Sequence, residues 1–387
     1  MTTPARERSE RPRAAFIHSA ELERYHYPPD CPFRTERARL TREILLPMGL
    51  LSGPDRREVA PAPAGRDDLL SLHTPAYLDA LAKAPRGELD PEGFAMGIGT
   101  PDCPVFEGMY DYAVLACGAT LTGAALLAEG DADVAFNPSG GYHHAGPAKA
   151  AGFCYVNDVA IACGRLAGPG RRVLFLDVDA HHGDGVQDAF FHRRDVMTVS
   201  FHESGLSLFP GTGFVDDVGA GEGAGYCANV PLPPGTYDQA YLKAFRAVAI
   251  PLASAYDPDV IVLELGMDTL SGDPLAHLGL TNNACAEIVE AVMALGRPVL
   301  ATGGGGYHVQ NTARGWALAW SVFCGEGAAE DETSAGLGGV MLESTEWRGG
   351  LRDRALAPDA RQRRAVEPVV DAAIERVKAN VFPYHGL

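Results

Sequence analysis

From about residue 130 to 325, short apolar runs alternate with longer segments whose apolar residues fall three and four apart. The runs are Val134-Ala135-Phe136, Val173-Leu174-Phe175-Leu176, Val196 to Phe201, Val260-Ile261-Val262-Leu263 and Pro298-Val299-Leu300-Ala301. Continuous apolar strands need cover on both faces, so the pattern predicts a mostly parallel central sheet between helices. Ala14-Ala15-Phe16-Ile17 reads as a further short strand. Helices are predicted over Asp158–Leu166, Asp184–Phe191, Tyr237–Tyr256, Asn283–Leu295 and Asn311–Phe323, several opening on Asp or Asn in capping position. Residues 325–345, rich in Gly, Ala, Glu and Ser, read as a loop, and 358–380 as a helix with charged faces. The fold class is α/β, as a single domain.

Composition narrows the function. The chain has 387 residues, of which 46% are apolar, which excludes disorder as its general state. No run of about 18 apolar residues is found, so no membrane span is expected. Met1 to Arg13 is polar with both charge signs, so no secretory signal is expected. Lys and Arg number 32 against 50 Asp and Glu, a net charge of −18. Such a field repels phosphate backbones and favours cationic partners, so neither nucleic acid nor a membrane is an expected partner. The eight cysteines form no CxxC pair and read as small core residues in a reducing compartment, with the cytoplasm as the expected location.

In open parallel sheets, ligands bind beyond the carboxyl ends of the strands. Gly140-Gly141-Tyr142-His143-His144 follows the first run from 130 onward, and Asp177-Val178-Asp179-Ala180-His181-His182-Gly183-Asp184-Gly185 the second. Gly266-Met267-Asp268 and Gly303-Gly304-Gly305-Gly306-Tyr307 follow the last two. Asp179 and His181 alternate, so in an extended segment their side chains share one side. With Asp268 they make three ligands for a divalent ion and leave a position for water or substrate, as catalytic sites do. Two carboxylates and one imidazole form a harder set than the usual zinc ligands, so Fe²⁺, Co²⁺ or Mn²⁺ compete with Zn²⁺. His143 and His144 supply a base, Asp177 and Asp184 orient the imidazoles, and Tyr307 supplies an oxyanion donor. Taken singly, a His-His pair reads as a packed turn, an Asp as a cap and a Gly run as a plain turn. Their joint placement after strand-like runs favours one crevice.

The chain resembles the zinc-dependent deacetylase superfamily, which holds class I histone deacetylases, bacterial acetoin-utilisation-type deacetylases and acetylpolyamine amidohydrolases. The carrying motifs are Ser139-Gly140-Gly141-Tyr142-His143-His144, Gly152-Phe153-Cys154-Tyr155-Val156-Asn157-Asp158, the Asp177–Gly185 stretch, Phe209-Pro210-Gly211-Thr212-Gly213, Leu265-Gly266-Met267-Asp268 and Gly303–Tyr307. The resemblance implies an arginase/deacetylase-like fold with a flexible arm over 1–14, a catalytic domain over 15–325, and a C-terminal loop and helix over 326–387 packed on it. It implies zinc on Asp179, His181 and Asp268, His144 as general base and acid, and His143 as its electrostatic neighbour. Asp184 and Asp177 would partner them, and Tyr307 would polarise the scissile carbonyl. Gly152, Phe153, Phe209, Leu275 and Gly305 would line the acyl-lysine tunnel, with Asp102 gripping the substrate backbone. One structural K⁺ would lie against Asp177, Asp179, His181, Ser200 and Phe201, and a second near Phe190, Arg193, Val196 and Tyr226. The implied activity is hydrolysis of acyl-lysine in proteins or peptides, with small acetylated amines as the alternative substrate and a homo-oligomer left open.

Two stretches depart from the family pattern. Pro29-Asp30-Cys31-Pro32 stands where Gly-x-His-Pro is frequent, and Pro101 where an aromatic often precedes the gripping Asp. A binuclear ureohydrolase of the arginase type would need Asp at Gly183, and a silent acyl-lysine reader would not need Tyr307.

Overall fold

The chain is described by a computed structural model over residues 11–168, 170–326 and 350–387. Strands β1 (Ala14–Ile17), β2 (Arg56–Val59), β3 (Val134–Asn137), β4 (Val173–Asp177), β5 (Val196–Glu203), β6 (Cys227–Leu232), β7 (Val260–Glu264) and β8 (Val299–Thr302) form one sheet. Their order is β2-β1-β3-β8-β7-β4-β5-β6, and every pairing is parallel.

Alternate strand residues enter opposite cores. Phe16, Phe136, Leu174 and Leu176 join one cluster, while Ile17, Ala135, Val173 and Phe175 join the other. Two faces buried in this way require the unbroken apolar runs of the sequence. The two strands without a sequence expectation lie at the sheet edges. β2 is Arg-Arg-Glu-Val and mostly exposed, and β6 carries Asn229 and Pro231, which break the apolar run.

The helices are α1 (Glu36–Leu45), α2 (Arg66–Leu70), α3 (Pro75–Lys83), α4 (Pro91–Ala95), α5 (Met109–Ala128), α6 (Asp158–Leu166), α7 (Asp184–Phe190), α8 (Asp238–Tyr256), α9 (Asn282–Ala294), α10 (Val309–Phe323) and α11 (Ala360–Val381). Those expected from the sequence stand within two residues of their expected ends. α5 is the longest apolar helix among those without a sequence expectation. By length and composition this helix is long and apolar enough to cross a membrane, yet 67% of the stretch is buried inside the fold. Its Ala, Gly and Thr residues leave no unbroken apolar run, and burial all round leaves no periodic stripe.

Arg13, immediately before β1, bonds Asp133 with its side chain at 2.8 and 3.0 Å and the Gly130 carbonyl at 2.7 Å. The expected loop at 325–345 lies almost wholly outside the described residues. Beyond it, α11 packs against α8 and β6 through Val366, Val370, Ile374, Val377 and Val381, all buried. Buried Arg314 pairs with Asp353, and the Asp353 and Asn282 side chains each accept the other's amide at 2.8 Å.

Candidate functional site

The chemistry-bearing loops leave four contiguous strands, β3, β8, β7 and β4, at their carboxyl ends. After β4 the chain does not stay extended. Asp177 Oδ1 accepts the Asp179 amide at 3.0 Å, and Asp179 Oδ1 accepts the His181 amide at 2.8 Å. Two successive side-chain-to-backbone turns, rather than strand alternation, bring Asp179 and His181 to one side.

His181 Nδ1 lies 3.2 Å from Asp179 Oδ1 and 2.8 Å from Asp268 Oδ2, and all three side chains are buried. Their donor atoms lie within 4.8 Å of one another. The other carboxylate oxygens are held in place. Asp268 Oδ1 accepts the Ala180 amide at 2.8 Å, and Asp179 Oδ2 accepts the Gly305 amide at 2.6 Å. A Cβ on Gly266 would stand 1.9 Å from Asp179 Oδ2, so backbone approach here requires glycine. Burial and the charge of Asp179 push the Asp268 acid up to about 7. Burial alone would lower His181, but Asp268 and Asp179 raise it to about 10. Two crowded carboxylates and an imidazole nitrogen on a common centre fit a divalent cation, and three ligands leave it a position for substrate or water.

Beside this cluster, His143 Nδ1 faces Asp177 Oδ2 at 2.9 Å and Glu264 Oε1 at 3.2 Å. His144 Nδ1 bonds Asp184 Oδ1 at 2.7 Å. Burial works against a charge on His143, yet Glu264 and Asp177 raise its pKa well above the ordinary value. Burial and the charge of His143 lower His144 to about 4, so its ring is neutral at neutral pH. Asp158 holds the loop bearing both histidines, accepting the amides of Gly141 and Tyr142 at 3.1 and 2.9 Å.

Tyr307 closes the other side. Its ring centroid lies 6.2 Å from His181 and 5.7 Å from Phe153. Burial, then Asp268 and Asp179, raise its phenol well above the usual value, which keeps the proton available for donation. The Phe209 ring stands edge-on to His144 at 5.0 Å. A Cβ on Gly152 would meet both rings, at 2.5 Å from His144 and 3.0 Å from Phe209. Phe153 holds a positive φ of 65°, a strained conformation for an aromatic residue. It is pinned through its amide to the Asp102 carbonyl at 2.8 Å and through its carbonyl to the Tyr27 hydroxyl at 2.8 Å. The Asp102 carboxylate accepts from Gly152 N–H at 3.2 Å and from Thr100 Oγ1 at 2.9 Å. Phe209 and Asp184 both line a cavity of about 480 Å³. Leu275 is half-buried, its amide bonded to Asp273 Oδ1 at 2.9 Å, and Gly305 lies against Asp268.

The residues expected around potassium lie on and beyond β4 and β5. Ser200 Oγ is 2.8 Å from His202 Nδ1, and Phe201 is buried beside Tyr241 and Phe245. Further out, the Phe190 carbonyl accepts the Arg193 amide at 2.9 Å, Val196 opens β5, and Tyr226 packs on Tyr256 and His385. A longer side chain at position 183 has no room, because a Cβ on Gly183 would stand 2.4 Å from Asp177 Oδ2.

Sequence reading missed the roles of four residues. Glu264 ends β7 with both carboxylate oxygens lacking a conventional hydrogen-bond partner, and Asp158 carries the His143 loop. Arg37 donates to the Gly306 carbonyl at 2.8 Å, and Asp273 accepts the Tyr307 amide at 2.7 Å. For Glu264 the signal was an ionisable residue terminating an apolar strand, which is the rule that exposed the other loops.

The chain belongs to the histone deacetylase family: the family described as "Histone deacetylase domain" matches residues 31–323. Histone deacetylase 3 of Oryza sativa subsp. japonica is 40% identical over 319 residues, 81% of this chain. That match spans 62% of the rice protein's length, under two thirds of it. Histone deacetylase 8 of Xenopus tropicalis is 40% identical over 75% of this chain and 78% of its own. Among solved structures, a histone deacetylase homologue from Aquifex aeolicus superposes with a TM-score of 0.82 at 31% identity, covering 95% of this chain and all of that one. A homologue solved in complex with SAHA superposes with a TM-score of 0.83.

Proposed function

We propose that this protein is a zinc-dependent amidohydrolase that removes acetyl or related acyl groups from lysine side chains. The observation that carries this is the three-donor cluster of Asp179, His181 and Asp268, with the His144 ring centroid 6.0 Å from that of His181. Asp179, His181 and Asp268 would hold the metal, which when bound supplies a Lewis acid and lowers the pKa of water.

The remaining chemistry belongs to the chain itself. Phe153 and Phe209 clasp the aliphatic stem of the acyl-lysine and keep water from its flanks. Tyr307 donates its phenolic proton in a hydrogen bond to the scissile carbonyl oxygen, where negative charge develops. His144 Nε2 takes the proton of the attacking water, and Asp184 holds its ring by Nδ1. His144 then returns that proton to the departing amine. His143, charged between Asp177 and Glu264, offsets the anionic character of the centre. The net charge of −18 favours cationic flanks around the acyl-lysine. The two potassium positions, Asp177 to Phe201 and Phe190 to Tyr226, belong to the same proposal and rest on the family resemblance.

The test is hydrolysis of acetyl-, longer-acyl- and lactyl-lysine peptides beside acetylated polyamines, before and after chelation and zinc return. Turnover of lysine peptides, lost on chelation and restored by zinc, is expected. A zinc-loaded protein inert toward every acyl-lysine would refute the reading.

A further inference from the structure

The phenol of Tyr307 makes no hydrogen bond to another protein group among the described residues, although the proposed reaction needs it in one place. Its ring packing on Phe153 and His181 restrains it laterally but fixes neither height nor rotation. The main chain that carries it is a run of four glycines, two of them at φ values of +133° and +125°. Glycine leaves such a segment many conformations, so its placement depends on what binds its polar groups.

Those bonds are few and can be named. Gly303 N–H bonds the Asn137 carbonyl at 2.9 Å and its own carbonyl accepts Leu265 N–H at 3.0 Å, while the Gly305 carbonyl accepts Met267 N–H at 2.9 Å. The Gly305 amide takes Asp179 Oδ2, and the Gly306 carbonyl takes Arg37. At the Tyr307 amide the anchor among the described residues is Asp273. Its Oδ2 accepts the Tyr307 amide at 2.7 Å and the His308 amide at 3.4 Å. Its Oδ1 accepts the amide of Leu275 at 2.9 Å.

We propose that Asp273 is the positioning residue for Tyr307, one carboxylate tying the glycine-borne phenol to the Leu275 loop. This rests on the function proposed above. A charged acceptor on amide donors is a strong hydrogen bond, about twice a neutral one. Asn in its place keeps the volume but retains one acceptor oxygen for amides on two loops, so either the Tyr307 or the Leu275 anchor is lost. A displacement of about 1 Å at a reacting group can cost about a hundredfold in rate.

The test is a double-mutant cycle of Asp273→Asn with Tyr307→Phe, read as kcat, KM and metal content, together with amide hydrogen exchange over residues 303–308. Asp273→Asn alone is expected to lower kcat about 10- to 100-fold. KM should stay within about threefold and the metal should be retained. On the Tyr307→Phe background, the same change should cost less than about twofold, because the phenol it positions is already gone. Exchange at the Tyr307 and His308 amides should quicken in the single variant. An equal loss on both backgrounds, unchanged kcat or unchanged exchange overturns the proposal. Should Asp273→Asn not fold, Asp273→Glu is read in its place, and failure of both to fold shows a plain structural role and also overturns it. If the wild-type protein hydrolyses no acyl-lysine, the function falls, and the exchange measurement still decides the role of Asp273.

Discussion

His143 Nε2 and His144 Nε2 stand 3.0 Å apart, so at most one hydrogen lies between the two imidazoles. His143 Nδ1 faces Asp177 and Glu264, and His144 Nδ1 faces Asp184. The surroundings set the two rings apart: the acidic neighbours raise the pKa of His143, and burial with the charge of His143 lowers that of His144. The neighbouring histidines therefore differ in charge preference, His143 toward the protonated ring and His144 toward the neutral one.

His144→Ala should lower kcat by about 10²- to 10⁴-fold, the usual contribution of a general acid–base group. Bound metal should stay at one per chain, since neither histidine belongs to the three-donor cluster. Metal analysis beside a fluorogenic acetyl-lysine assay separates the two effects, and near-native turnover would contradict the assignment.

Tyr307→Phe removes one oxygen and leaves the ring against Phe153. The expected cost is about 10²- to 10³-fold in kcat, as for the loss of one oxyanion donor. Because the phenol lies well above neutral pH, the variant's pH profile should keep the wild-type shape. A variant that keeps most of its rate would show that the developing oxyanion is stabilised by some other group.

Asp179→Ala and Asp268→Ala should each abolish tight metal binding, measured by metal content after dialysis. Gly266→Ala should weaken it too without removing any ligand, because its Cβ would fall 1.9 Å from Asp179 Oδ2. Full metal occupancy in Gly266→Ala would show that Asp179 has freedom the close packing denies it.

His73 is buried, and its Nε2 accepts the amide of Asn157, whose side chain holds the His143 carbonyl. Burial lowers its pKa from 6.5 to about 4. The unfolded chain therefore binds a proton below pH 6.5 that the folded chain refuses until about pH 4. Stability is lost as pH falls through that window, at up to about 1.4 kcal/mol per pH unit for this one group. His73→Gln keeps an acceptor without a titrating ring, so its melting temperature should fall less steeply over that range. Parallel slopes for the two proteins would show that other groups set the acid limit.

The central strands were legible because burial on both faces demands apolar residues at every position, as in Val173-Leu174-Phe175-Leu176. The edge strands were not: Arg56–Val59 meets solvent, and Cys227–Leu232 is interrupted by Asn229 and Pro231. The long buried helix Met109–Ala128 escaped because small residues surround it and no stripe marks a face. At the site, the metal-ligand candidates and both histidines were visible as ionisable residues just past strand-like runs. The supports were not. Asp273 and Asp158 act on the amides of Tyr307 and Gly141, 34 and 17 positions away along the chain, and no local spacing records such a bond. The turn at Asp177–His181 gave the right side-chain direction for the wrong local reason.

Because every strand runs the same way, all the reactive groups leave one rim of the sheet and the return segments gather at the opposite rim. Substitutions at Phe209 or Leu275, beyond the carboxyl ends of the strands, therefore leave the lower turns untouched, and those that tune folding there leave the upper rim alone. A sheet with this polarity lets specificity and durability drift as separate traits within one lineage.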